Sequence, residues 1–285
     1  MRRIAPTEGL TAIFLIGLIL LTLIFKGQIP LWHSLILRYV ILMGVLFGLK
    51  LSRGAHGMGR VSASFYPFSP ILFVILIYES LGDLIQYLRP DIDRWLIQID
   101  LFIFGVHPTV WMERWIVPWF TDLMSLAYIS YYFLPVILIV TLYLKGRMET
   151  FHLSVFTLAF GYYLSFIGYI LSPAIGPRYT LTSFQSVPLE ASVITDFVRD
   201  VLNALEHNKR DCMPSGHTQI ALMVLWLARR YERSLFYILL PIVSALILST
   251  VYLRYHYVID LFVGAGFAAG CLIIAPRLYR WWEKK

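Results

Sequence analysis

Charge is sparse in this chain. Asp, Glu, Lys and Arg make up 14% of its 285 residues, while 59% are hydrophobic. A soluble domain needs far more charge to cover its surface, so that class is excluded. Cysteine is scarcer still. Cys212 lies in a polar stretch and Cys271 inside an apolar run, so neither a disulfide framework nor a cysteine metal site is expected. Acidic residues are also in short supply, 17 against 24 basic ones, for a net charge of +7. That balance invites a nucleic-acid partner, but the bases sit in short loops and at the ends of apolar runs, where they set membrane orientation. No nucleic acid is expected. The first apolar run is too long for a removed signal peptide and lacks a small-residue cleavage site.

What the chain has instead is long apolar runs of about 20 residues, the span of a bilayer core. Its mean hydropathy is +0.71. Eight candidate spans are predicted, at about 8–25, 31–49, 68–88, 118–144, 151–172, 216–231, 235–252 and 257–276. The fold class is therefore all-α: a polytopic bundle of membrane helices. Every second connection is basic. Arg2 and Arg3 precede the first span, Lys50, Arg53 and Arg60 follow the second, and Lys145 and Arg147 the fourth. Arg229, Arg230 and Arg233 follow the sixth, and Arg277, Arg280, Lys284 and Lys285 close the chain. These read as cytoplasmic, with both termini inside and the connections 26–30, 89–117, 173–215 and 253–256 facing out. In a bacterium this is the inner membrane, with the outward connections in the periplasm.

Two outward connections have helical periodicity of their own. In 91–103, Ile92, Trp95, Leu96, Ile99, Phe102 and Ile103 recur at helical spacing, with Asp91, Asp93, Arg94 and Asp100 between them. In 194–207, Ile194, Phe197, Val198, Val201, Leu202 and Leu205 do the same. Both are read as interfacial amphipathic helices, the alternative being a small cap that packs on itself. Trp111, Trp115 and Trp119 fit an interfacial aromatic belt. Glu79 and Asp83 share one face of the third span; they either position a cation such as Arg254 or Arg114 or form a structural ion pair. Gly264, Gly266, Ala268 and Gly270 give the last span a small side for close packing. His33, His56, His107, His152 and His207 show no partner pattern.

The chemistry lies in three outward stretches. Cys212-Met213-Pro214-Ser215-Gly216-His217-Thr218 reads as a helix entry, in which Ser215 caps, Gly216 permits close approach, and the free N–H groups suit a phosphate. His217 adds an acid or base within a turn of it; a plain helix cap with a chance histidine is the alternative. Ser172-Pro173-Ala174-Ile175-Gly176-Pro177-Arg178 supplies a guanidinium suited to phosphate. In Arg254-Tyr255-His256-Tyr257-Val258-Ile259-Asp260, helical spacing stacks Asp260 on His256, so the carboxylate holds one ring nitrogen and leaves the other free.

Taken together, these stretches resemble the type 2 phosphatidic acid phosphatase (lipid phosphate phosphatase) superfamily, whose motifs are K-x6-R-P, P-S-G-H and S-R-x5-H-x3-D. The second matches in full at Pro214, Ser215, Gly216 and His217; the third matches at Ser249, His256 and Asp260. Thr250 stands where the third motif has arginine, while Arg254 appears two residues before His256. In the first motif Arg178 follows Gly-Pro rather than preceding proline, and Leu171 takes the lysine position, with Lys209 or Arg210 as a replacement charge. The Arg-x-His-Tyr-x-Ile-Asp run is also similar to the sphingomyelin synthase and inositol phosphorylceramide synthase branch. The resemblance spans about 118–276 and implies a six-helix catalytic core. Before it come N-terminal transmembrane helices over 1–90 and an outer segment over 91–117, and after it a basic tail over 277–285.

The resemblance implies a lipid phosphate or diphosphate phosphatase acting at the outer face through a phosphohistidine. The alternative is a transferase that moves a phospho-headgroup to a lipid alcohol; a channel or transporter is a third reading. His256 is the implied nucleophile, His217 the acid and Asp260 the orienter. Arg178, Ser215, Gly216, Arg254 and Lys209 are the implied phosphate-binding set. The implied substrate is a phospholipid or polyprenyl phosphate or diphosphate; no metal, cofactor or obligatory protein partner is expected.

Overall fold

The computed structural model describes residues 4–54, 66–189, 193–205 and 208–284. Arg2, Arg3, His56, Arg60, His207 and Lys285 lie outside them. Helices α1 (Pro6–Ile24), α2 (Trp32–Gly54) and α3 (Ser69–Ile85) come first. Next are α4 (Asp93–Phe104), the short α5 (Pro108–Trp111), α6 (Pro118–Ile129), α7 (Leu134–Leu144) and α8 (Met148–Leu171). The chain continues through the short α9 (Pro177–Thr180), then α10 (Val193–Leu205), α11 (Gly216–Tyr231), α12 (Arg233–Tyr252) and α13 (Val258–Lys284). Among the described residues there is no strand.

Six of these helices are long and apolar enough to cross a membrane, and up to eight spans result if each of two bent pairs counts as one. The predicted span 118–144 is one of those pairs, bent by 50° between Tyr132 and Leu134; Pro135 sits in the first turn after the break. The other joins α4 to 108–115 with a 60° bend. α11 has 16 residues, about 24 Å of helix, and stops short of a bilayer core of about 30 Å. α13 runs on through Pro276 to Lys284, so the basic tail is helical.

Two apolar clusters share α8. Leu15, Tyr39, Ile77 and Leu81 of α1–α3 pack on Ala159, Tyr163 and Phe166. Leu138, Ile220, Val224, Leu246 and Ala268 of α7 and α11–α13 pack with Phe151 and Val155. Lipid tails are as apolar as these side chains, so close packing rather than escape from water holds membrane helices together. Gly264 shows how close: a Cβ there would stand 2.5 Å from the carbonyl oxygen of Ser215. Ala268 is buried with it, whereas Gly266 and Gly270 face open space, so only half of the predicted small-residue side is a packing face.

The connections gather at two ends of the bundle. At one end Lys145 and Arg147 reach Glu232 at 2.7 and 3.4 Å, and Trp282 packs on Gly9. At the other end the long connections meet: Ile92 N–H donates to the Pro173 carbonyl at 2.8 Å, Arg210 pairs with Asp91 at 2.7 Å, and Thr195 donates to Asp122.

α4 is inverted relative to a soluble amphipathic helix. Trp95, Ile99, Phe102 and Ile103 of its apolar stripe face outward, Phe102 at 91% exposure, while Asp93 and Asp100 are buried. The outward stripe and the exposed Trp111, Trp115 and Trp119 suit a lipid boundary. The acids turn inward because they hold backbone.

Candidate active site

The Asp93 carboxylate accepts N–H from Ile175 at 3.0 Å and Gly176 at 2.8 Å, and the Tyr257 hydroxyl at 2.9 Å. Asp100 accepts N–H from Val258 at 2.8 Å and Ile259 at 2.9 Å, capping α13. α4 thus clamps two of the three chemistry-bearing stretches. Its two acids were visible only as intervening polar positions, because nothing local says what they bind. Gly176 has φ +88°, and a side chain there would strike the Tyr255 carbonyl oxygen at 2.6 Å, so this junction depends on glycine.

The third stretch enters at the cis peptide Met213–Pro214. Ser215 caps α11, its hydroxyl accepting the Thr218 N–H at 3.2 Å, and its own N–H donates to the Asp260 carbonyl at 3.1 Å. Gly216 lies against the Tyr169 hydroxyl. Next to it His217 packs between Tyr128 and Tyr131, ring centroids 4.5 and 4.2 Å away.

His256 is not on α13, which begins at Val258; a turn at 253–256 carries it, with His256 N–H donating to the Thr250 carbonyl at 3.0 Å. Its Nδ1 stands 2.8 Å from the Cys212 carbonyl and 3.5 Å from Asp260 Oδ2. A carbonyl only accepts, so Nδ1 carries the proton and Nε2 keeps its lone pair. Nε2 faces His217 Nδ1 at 3.4 Å. The orienter is therefore shared: the Cys212 carbonyl is the nearer partner, and Asp260 stands behind it. Asp260 in turn accepts the Tyr257 N–H at 2.9 Å and the Cys212 thiol at 2.9 Å. The sequence assigns Cys212 no partner, and its adjacency to Pro-Ser-Gly-His is the one signal it offers.

Cys212, His256 and Asp260 place one ligand-type atom each within 4.8 Å of one another. Burial, and then the Asp260 carboxylate, push the thiol well above its ordinary range, so it remains a donor. With Nδ1–H also donating, the cluster is a hydrogen-bonded one and not a ready ligand set.

The phosphate-binding candidates divide. Arg178 lies over the Tyr255 ring at 5.3 Å and donates to its hydroxyl at 3.1 Å. It lines a cavity of about 260 Å³ together with Arg199 and Arg254. Lys209 is exposed and stands over the Tyr179 ring at 5.9 Å. Arg254, at φ 65°, is buried against Glu113 at 2.9 Å and also donates to Gln185 at 3.1 Å and the Val187 carbonyl at 2.5 Å. Its acid is Glu113, not Glu79 or Asp83; Asp83 pairs with Arg38 at 3.6 Å and Arg114 lies on Trp111. Thus Arg254 ties the His256 turn to the outer segment.

A second cavity of about 220 Å³ reaches His217 from between α3, α7 and α8. Tyr128 stacks on Tyr255, which lines the first cavity, at 4.4 Å, and packs tilted against His217, which lines the second, at 4.5 Å.

The Pro-Ser-Gly-His turn and the His256–Asp260 turn thus converge on one histidine pair, and residues 94–274 match the PAP2 superfamily. The chain belongs to that superfamily. The match takes up well over half the chain and begins at 94, not 118, so the PAP2 region includes most of α4, with Asp100 inside it. α1–α3 precede it. No curated protein and no solved structure matched the chain. PAP2 proteins are generally phosphatases or related phosphotransferases, and this one has apolar helices long enough to cross a membrane.

Proposed function

We propose that this PAP2 protein is a lipid phosphate or diphosphate phosphatase acting at the outer face of the cell membrane through a phosphohistidine on His256. One observation carries the reading: Nδ1–H of His256 is committed to the Cys212 carbonyl, which leaves Nε2 as a lone-pair nucleophile facing His217. Phosphorus bonds to Nε2 as the lipid ester oxygen leaves, and His217 gives that oxygen a proton. A positioned acid of this kind contributes about 10²–10⁴ in rate. The two rings now touch, so turnover begins with His217 swinging off Nε2. Asp260 stabilises the positive charge on the phosphorylated ring. Arg178, held by the Tyr255 hydroxyl, is the guanidinium assigned here to the phosphoryl oxygens. Water then attacks phosphorus, breaks the P–N bond and releases inorganic phosphate. The outward orientation rests on the alternation of basic connections along the sequence, two of which meet where Lys145 and Arg147 pair with Glu232.

A phosphotransferase is the second reading, favoured by the largely apolar cavity at His217, which suits an acceptor lipid alcohol. The deciding assay supplies lipid phosphate labelled on phosphorus, with and without a lipid alcohol. Free phosphate in both arms supports the phosphatase; label on the acceptor with phosphate at background replaces it by the transferase.

A further inference from the structure

The cavity that reaches His217 has one wall outside the PAP2 span. Ile75, Tyr78 and Glu79 come from α3, Val136 from α7 and Tyr162 from α8. Ile75 and Val136 are 51% and 36% exposed on the outside of the bundle, so the cavity opens sideways towards lipid. At its polar end stand Asp211 and His217. The Tyr78 hydroxyl donates to Asp211 Oδ2 at 2.6 Å, fixing the carboxyl from α3. His217 Nε2 is buried and has no hydrogen-bond partner.

An apolar slot that ends in carboxyl oxygens fits an amphiphile whose polar end donates hydrogen bonds. It repels an anion, so the phosphate itself does not sit at Asp211. What reaches Asp211 is the part of the lipid next to the scissile oxygen. We propose that this cavity holds the alcohol portion of the lipid, and that Asp211, positioned by Tyr78, accepts a hydrogen bond from a hydroxyl or amide N–H next to that oxygen. The N-terminal helices thereby select lipids that bear such a donor over lipids that do not. The catalytic consequence rests on the lipid-phosphate reading above; the binding site does not.

The experiment uses the full chain in phospholipid vesicles and two photoreactive probes of equal chain length, a long-chain 1,2-diol and the 1-alkanol, with crosslinks mapped by mass spectrometry. Both should label the α3–α7 wall around Ile75 and Val136, the diol at about tenfold lower concentration because its extra hydroxyl meets a carboxylate. Asp211→Ala and Tyr78→Phe should each bring the diol to within about twofold of the alkanol, while alkanol labelling shows that the variant is folded. If Asp211→Ala loses both labels, Tyr78→Phe, which removes a single oxygen, decides. Equal half-saturation of the two probes in the wild type, labelling away from this wall, or an undiminished diol preference in Tyr78→Phe overturns the proposal. Phosphate release from lipid phosphates is measured on the same preparations. Its absence with the diol preference intact removes the phosphatase reading and leaves this site standing.

Discussion

The backbone carbonyl of Cys212 stands 2.8 Å from Nδ1 of His256, nearer than the Asp260 carboxylate at 3.5 Å. A carbonyl cannot be removed by side-chain substitution, so part of the orientation of His256 survives any change at Asp260. We expect Asp260→Asn to retain the tautomer and lose about 10–100-fold in kcat, less than the roughly 10⁴ seen where a carboxylate alone orients a histidine. Cys212→Ala should lose less than Asp260→Asn, since it takes one donor from Asp260 and leaves the carbonyl in place. Steady-state kinetics on purified variants checks this; a Cys212→Ala loss larger than that of Asp260→Asn would reverse the assignment.

Glu113 and Arg254 form a buried pair, with side chains 6% and 7% exposed. Glu113 also accepts N–H from Ser186 at 3.1 Å and Val187 at 3.3 Å. Removing one charge leaves the other buried and unpaired, at a cost of about 3–5 kcal/mol. Glu113→Gln should therefore lower the thermal midpoint in detergent sharply, and adding Arg254→Met should restore part of it. Additive losses in the double variant would show that the two residues act separately.

The fold class was legible because apolar runs of bilayer length leave few alternatives, and the histidine site because His217, His256 and Asp260 each fall at the head of an apolar run. What stayed hidden was long-range. Asp93 and Asp100 hold backbone from residues 175–176 and 258–259, and the pairing of Glu113 with Arg254 joins positions far apart in sequence. Periodicity located α4, and its outward apolar stripe fits the interfacial reading; what periodicity could not show is that the acids between turn inward to hold backbone. The i, i+4 spacing of His256 and Asp260 suggested a helix, and a turn does that work.

Burial raises the Asp211 carboxyl above its ordinary value, partly offset by the Tyr78 hydrogen bond. The folded state then holds this proton more tightly than the unfolded state does. Stability from this group is full below the unfolded value of about 3.9 and declines as pH rises through the raised folded value. Asp211→Asn should remove that decline, giving a variant more stable than wild type at pH 7 but not at pH 3. Thermal midpoints across that range in detergent test it; an equal offset at both pH values would contradict the linkage.

Sidedness is open to direct labelling, because both native cysteines are buried. Phe184 is 57% exposed at the histidine end and Met148 is 39% exposed at the basic end. With an impermeant thiol reagent on intact cells, Phe184→Cys should label and Met148→Cys should label only after lysis. The reverse pattern would invert the topology.

The central claim is that His256 Nε2 takes the phosphoryl group. Rapid acid-free quench of the purified protein with a lipid phosphate labelled on phosphorus, followed by peptide mapping, reads this directly. The account predicts a label on His256 that is stable in base and labile in acid, formed more slowly when His217→Ala removes the acid for the leaving oxygen and absent in His256→Ala. Label on His217 or any other side chain, or turnover that persists in His256→Ala, would contradict it.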